Sequence, residues 1–349
     1  MKHYVGLDVS MEATSVCVID DAGEVIYEGK VASEPPALAA CLLRWAGTVA
    51  KVGLEAGALS PWLHAGLVAA GLPAVCIETR RMHAYAKAYP VKTDRKDAAL
   101  IALAMRGGLY RAVHVKSEAS QKIRLLLTGR QALLRQARQL QGKLRGDLKP
   151  FGIKLGQVGS GGFAGRVRAR LAERPDLWAP VEPLLEVRAV LLERVRRYGR
   201  QIRRLAAGEV VCRRFMMSPG VGPITALGFF AGIDRPERFA HARSVPAALG
   251  LTPRLYQSGE SERRGAITKT GDALLRALLF EAANALLTRT RGWCALKRWG
   301  LAVAKRRGMN RARVAVARKL SMILFCMWRD GTEFRWRAET DAEPAPTTA

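Results

Sequence analysis

No stretch of about 18 uninterrupted apolar residues occurs in this sequence, so nothing in it reads as a membrane span. The N-terminal MKHYVGLDVS meets an aspartate at position 8, before the apolar core of a signal peptide could form. Cysteine is sparse and scattered: Cys17, Cys41, Cys76, Cys212, Cys294 and Cys326 include no C-x-x-C pair. That spacing excludes a zinc ribbon and a dense disulfide framework, and it predicts a reducing, cytoplasmic setting. The 5 histidines stand singly, none four residues from another, which leaves no histidine metal box. Acid is in short supply too. Against 57 Lys and Arg the 349 residues carry 30 Asp and Glu, a net charge of +27. Such a surplus repels itself and implies a polyanionic partner, nucleic acid or an anionic membrane, of which the membrane is the weaker candidate.

What the chain does have is 49% hydrophobic residues, enough for a sizeable core, arranged in three rhythms. Residues 1–117 alternate short Val-, Ile- and Tyr-rich runs with helical stretches. HYVGLDVS (3–10), TSVCVID (14–20) and EVIYEGKVA (24–32) read as three strands of a meander. A helix over 36–46, a buried strand KVGLE (51–55), a helix from Ser60 with Pro61 at its first position, and a strand PAVCIE (73–78) follow. DRKDAALIALAMRGG then reads as a helix opened by Asp94 and stopped by glycine. Three hairpin-linked strands followed by alternating helix and strand is the order of a ribonuclease-H-like α/β layer.

Residues 118–210 switch to a three-four spacing, with Ile123, Leu127, Leu134, Ala137, Leu144 and Leu148 before a glycine-dense break. Leu191, Val195, Tyr198, Ile202 and Leu205 resume it afterwards, so two long helices in a coiled-coil region are predicted, with arginine-rich polar faces. Residues 211–335 form a further, mainly α-helical unit that opens on PGVGP and carries a basic segment to about residue 319. The last stretch, 336–349, lacks large apolar groups and reads as a disordered tail.

Within the first layer four carboxylates draw notice. Asp8 interrupts an apolar strand, Glu55 ends a buried one, and Asp94 and Asp97 are neighbours on one helix face. Taken alone, Asp-x-x-Asp is ordinarily a helix cap with a first-turn acid. In a ribonuclease-H-like layer, however, the first strand is central, the next parallel strand lies beside it, and the late helix crosses both. Four acids then converge, and they cannot share a site without a cation. Oxygen-only ligands favour Mg2+, with Mn2+ as a substitute, and two such ions suit phosphodiester exchange. Glu78, which also ends a strand, competes for one of these positions.

Asp8 in GLDVS, Glu55 in LEAGALSPWL, the pair in VKTDRKDA, and the C-terminal PGVGPITA and LGLTPRLYQSGESERRGAITKTGDALLRALL together resemble the DEDD transposases of bacterial insertion sequences, the IS110 family with its Piv-type DNA invertases. The resemblance spans most of the chain. It implies a RuvC-like N-terminal domain whose Asp8, Glu55, Asp94 and Asp97 bind metal, and a C-terminal transposase domain whose serine attacks DNA to form a phosphoserine bond. By position that serine is Ser258, although many relatives show a doubled serine where Gln257 and Ser258 stand, and Ser261 is a near competitor. Read without the resemblance, QSGES is only a polar glycine turn. Arg263, Arg264 and Lys269 around it would clamp the scissile phosphate, and Lys305, Arg306 and Arg307 would hold backbone.

The resemblance further implies a transposase and recombinase acting on element ends and target DNA, guided by a non-coding bridge RNA. A dimer or tetramer on the nucleoid would assemble for strand exchange. Two other classes fit parts of the pattern. A RuvC-like Holliday-junction resolvase or metal-dependent nuclease would use the acids without Ser258. A non-catalytic nucleic-acid-binding protein would use only the charge.

Overall fold

A computed structural model describes residues 1–87, 93–259 and 261–336, excepting the side chains of Glu262 and Arg264. The expected phosphate contact of Arg264 and the expected disorder over 337–349 therefore lie outside the described residues. The chain divides into two compact units, 1–116 and 117–349.

The first unit is an α/β layer. Its strands are β1 (His3–Val9), β2 (Ala13–Ile19), β3 (Val25–Ala32), β4 (Val49–Glu55) and β5 (Ala74–Ile77). They lie in the order β3-β2-β1-β4-β5, with β1 in the centre. β1, β2 and β3 form the antiparallel meander, and β4 and β5 run parallel to β1. The parallel pairs require crossovers, supplied by α1 (Pro35–Leu42) before β4 and α2 (Ser60–Ala69) before β5. α3 (Thr79–Ala86) and α4 (Asp94–Gly107) follow. The strand boundaries agree with the sequence to within a residue or two, whereas α3 was not anticipated.

Alternation along the strands sorts the two faces. Val5 and Leu7 of β1 and Val52 and Leu54 of β4 pack with Leu38 and Leu42 of α1 and Leu63 and Leu67 of α2. The opposite face receives α4, which touches β1, β2 and β4. Glycine makes this contact possible. Gly6 of β1 and Gly53 of β4 are register partners, side by side under α4. A Cβ at Gly6 would sit 2.0 Å from the Ala98 carbonyl oxygen and 2.5 Å from the Ala102 nitrogen. At Gly53 it would meet the Met105 side chain at 2.6 Å. The helix backbone therefore rests directly on β1 at Gly6, and its side chains settle over Gly53 of β4.

The second unit is almost wholly helical. α5 (Glu118–Asp147), α6 (Phe163–Leu171) and α7 (Trp178–Gly208) come first. Leu127 shares a core with Ile202, Gly129 faces the Tyr198 ring, and Gln141 accepts a hydrogen bond from Arg188 at 3.0 Å, so α5 and α7 run antiparallel. α6 closes their far end through Leu144, Leu148, Phe163, Val167, Leu177 and Leu185. Leu205, expected in the apolar seam, is 42% exposed; the seam passes instead through Ala206, one residue on.

α8 (Val210–Met216), α9 (Pro223–Ile233) and α10 (Ser244–Ala248) follow. The hairpin β6 (Pro253–Ser258) and β7 (Ser261–Ile267) is next, then α11 (Ala273–Thr288), α12 (Ala295–Arg307) and α13 (Met309–Arg329). α9 is apolar all round and lies at the centre of a core that also takes in Leu127 and Ile202 of the long helices, Leu275 and Leu279 of α11, and Leu320 and Leu324 of α13. Arg124 of α5 forms an ion pair with Asp272, which also caps α11 through the Leu275 N–H. The 6 cysteines are free, and burial pushes the Cys17 and Cys76 thiols up to about 11 and Cys212 up to about 12.

The two glycines under α4 differ in what opposes them. At Gly6 it is helix backbone, which cannot step aside; at Gly53 it is a flexible thioether. Gly6→Ala is expected to cost about 3 kcal/mol and Gly53→Ala about 1 kcal/mol. Chemical denaturation of the two variants measures both, and equal losses would contradict a backbone-on-backbone contact.

Candidate active site

The acids sit where the strand period puts them. Asp8 lies two residues beyond Gly6 and Glu55 two beyond Gly53, so both carboxylates share the glycines' face and point to the α4 side. Asp8 and Glu55 come from adjacent parallel strands, while Asp97 is in the first turn of the helix packed above them. These three side chains line one pocket of about 90 Å3, walled by Met82, His83 and Ala86 of α3 and Leu100 of α4.

The start of α4 bears on the ordinary explanation for paired aspartates. Its cap is Thr93, whose hydroxyl accepts the Lys96 N–H at 3.3 Å. Neither aspartate therefore serves as the cap, and both sit in the first turn, where negative charge complements the helix dipole. Asp94 is not among the residues lining the pocket. Its carboxylate faces Lys30 of β3 at 3.3 Å, and the adjacent Arg95 pairs with Glu28 of the same strand. Both charged groups of the Lys30–Asp94 pair are more than half exposed, so the pair itself adds little stability. Glu78 is not in the pocket either; it pairs with Arg80 at 2.9 Å and lies 3.9 Å from Arg111.

Ser60 plays a part the sequence did not show. Expected as a helix cap, it is the first helical residue and its hydroxyl turns back to the preceding loop. There it donates to the Glu55 carbonyl and accepts the Gly57 N–H at 2.8 Å. It is 2% exposed, so it braces the backbone at the point where Glu55 leaves the sheet. His83 was passed over as a solitary histidine because α3, which carries it to the pocket wall, was not foreseen.

Three carboxylates supply oxygen-only donors of the kind that hard divalent cations take. Among the described residues no three His, Cys, Asp or Glu side chains stand close enough together to hold an ion as placed. The fit to such a cation thus lies in the donor chemistry and the shared pocket.

Ser258 belongs to the second unit. It ends β6, pairs in register with Ser261 across a two-residue turn, and follows a strand exposed along its whole length. Gly259 takes φ +55° there, which the tight hairpin turn needs and glycine adopts without strain. The Ser261 hydroxyl donates to the Ser258 carbonyl at 3.0 Å, so Ser261 fastens the turn while the Ser258 side chain stands at its tip. Arg263 on β7 and Lys269 beyond it are exposed. Lys305, Arg306 and Arg307 form the basic last turn of α12. Trp62 is 48% exposed.

Ser60→Ala would leave the Gly57 N–H and the Glu55 carbonyl without their shared partner. A loss of about 1–3 kcal/mol in thermal or denaturant unfolding is the expected result. A variant as stable as the parent would show that Ser60 does not brace the loop.

Two family models match separate parts of the chain. Residues 5–152 match a family model for the DEDD-type transposase of IS110 elements, and residues 212–299 match one described as transposase of the IS116/IS110/IS902 family. The transposase for insertion sequence element IS1111A of Coxiella burnetii is 31% identical over 93% of this chain and 88% of its own length. A probable family 20 transposase of Pseudomonas aeruginosa is 32% identical, covering 70% of this chain and 74% of the relative. The transposase for element IS1328 of Yersinia enterocolitica is 27% identical over 70% and 73%. Among the described residues no helix is long and apolar enough to cross a membrane. The chain belongs to the IS110 family of insertion-sequence transposases, enzymes that act on DNA.

Proposed function

We propose that this transposase cuts and rejoins the ends of its element through a covalent bond between Ser258 and DNA, with divalent metal held by Asp8, Glu55, Asp94 and Asp97. The observation that carries the reading is the convergence of Asp8, Glu55 and Asp97, from three separate elements, on one pocket. A central β1 with parallel β4 beside it and α4 across both supports a RuvC-like, ribonuclease-H-like layer. Asp94, one turn before Asp97, would join the other three acids as a ligand by leaving Lys30.

Mg2+, or Mn2+ in its place, would be held by those carboxylates and would supply charge neutralisation at the phosphate undergoing exchange. The remaining chemistry falls to the chain's own groups. Ser258 Oγ bonds to phosphorus as one bridging phosphorus–oxygen bond breaks, the serine proton passes to water, and the departing sugar oxygen takes up a proton as a hydroxyl. Reversal of the step on a second DNA end joins the strands. Arg263, Arg264 and Lys269, on and beyond β7, hold the phosphate against the hairpin tip. Lys305, Arg306 and Arg307 grip backbone without reading sequence. Target choice rests with a structured bridge RNA encoded by the element, held by the first unit and the long helices. Exchange of four strands calls for two to four copies of the chain.

The test uses purified full-length protein, Mg2+, element-end DNA and RNA transcribed from the DNA flanking the gene. DNA that stays bound to protein after denaturation is expected with the parent and with Ser261→Ala, and is expected to disappear with Ser258→Ala. Asp97→Asn is expected to slow its formation at least 100-fold, about 2.7 kcal/mol of barrier. Cleavage that persists in Ser258→Ala would instead make this a metal-only nuclease.

A further inference from the structure

The second unit holds a larger cavity, about 1060 Å3, that the proposed chemistry does not use. It lies between α12 and α13 and reaches the base of the β6–β7 hairpin through Pro253, Gly265 and Ile267. Its rim carries Arg243, Arg307, Arg311, Arg318 and Lys319, and none of the described residues lining it bears a carboxylate. These five cations are exposed. Its floor is apolar and half-buried, made chiefly of Trp299, Val303, Val314 and Met322.

The helical period accounts for both layers. Trp299, Val303 and Arg307 are four apart along one face of α12. On α13, Arg311, Val314, Arg318 and Met322 recur at three and four residues, so that stripe alternates cation and apolar group, while the α12 stripe is apolar and ends on a cation.

We infer that this cavity receives an unpaired nucleotide segment, with a base against the Trp299 and Met322 floor and its flanking phosphates on Arg307, Arg311 and Arg318. The inference rests on the transposase reading and extends it to the state of the DNA. A wholly charged groove would suit duplex backbone; an aromatic and thioether floor inside a cationic rim suits the exposed π-face of a base. Its volume stands at the upper end of small-ligand pockets, roughly 300–1,000 Å3, which is room enough for a nucleotide. Lys319 Nζ sits 4.0 Å over the Trp299 ring, and an arriving phosphate would draw that ammonium away and leave the ring face to the base. The hairpin that ends in Ser258 is rooted in this cavity wall, so a nucleotide lodged here is tied to the strand presented at the tip.

Fluorescence anisotropy of the full-length protein with a labelled single-stranded oligothymidylate, and separately with duplex element-end DNA, tests the inference. Trp299→Ala is expected to weaken the single strand roughly tenfold, as loss of one stacked base does, and the duplex less than twofold. Trp299→Phe keeps an aromatic face and is expected to restore most of the loss. Arg311→Glu, on the exposed rim, is a second variant that leaves the core intact and is expected to weaken the single strand as well. Equal weakening of single strand and duplex by Trp299→Ala, or no weakening by either variant, overturns the inference while leaving the transposase reading in place. A parent protein that binds neither DNA form would instead sink both.

Discussion

The first unit depends on one contact, the backbone of α4 lying against β1 at Gly6, with the α4 side chains Ile101 and Met105 seated over Gly53 of β4. Gly6 and Gly53 are register partners, and at Gly6 even one methyl group would collide with the Ala98 carbonyl. Because side chains alternate along a strand, the residues two beyond these glycines point to the same side as the helix. Those residues are Asp8 and Glu55. The closeness of the helix then determines the rest, since its first turn, carrying Asp94 and Asp97, begins beside the strand ends that carry the other acids. A bulkier pair under α4 would lift it and draw the acids apart. Packing and chemistry thus share one device.

The second unit solves a different problem. Its core is generous: α9 is buried nearly throughout, and Phe215 meets Phe229 edge-on with ring centres 5.2 Å apart. The antiparallel α5 and α7 are not a free-standing pair, because Leu127 and Ile202 enter the same core as α9, α11 and α13. Against this rigid body β6 is exposed at every residue. Such a hairpin gains little from burial and holds its shape through cross-strand pairing and its glycine turn. The arrangement places a small polar tip on a firmly held base, which suits a group that must approach a large, charged partner.

Much of this was legible in the sequence, for identifiable reasons. The strands of the first unit announced themselves through β-branched runs between turn residues, and the acids stood out because a carboxylate inside an apolar strand is costly. The glycine two residues before each strand acid, in VGLDV and VGLEA, was an available signal for the helix contact that composition alone did not suggest. α3 escaped notice because TRRMHAYA is short and polar, with Met82 its single buried residue. The hairpin read as a mere turn because strands exposed on both faces carry no alternation. Leu205 and Ala206 show the limit of periodicity, which locates a seam to within a residue, after which tertiary packing chooses. Ser60 shows another: a serine before a proline suggests a cap, but the loop from Glu55 bends back and takes the hydroxyl for itself.

The charge of the chain acquires a sharper meaning in the light of these placements. A net +27 is a general attraction for polyanions, and by itself it carries little discrimination. Discrimination requires uncharged surface held where the charge delivers the ligand. Around the carboxylate pocket the bases do ordinary work: Lys30 faces Asp94, Arg95 pairs with Glu28, and Arg80 pairs with Glu78. On α12 and α13 the bases ring an apolar floor with no carboxylate among the described lining residues. Excess charge left uncompensated costs stability through self-repulsion, so its concentration around a cavity that admits a base is better explained by a ligand than by the fold. On the proposed reading the two regions divide the work on DNA. Acids and serine exchange phosphodiester bonds, and the ringed cavity holds the unpaired strand that such an exchange must expose.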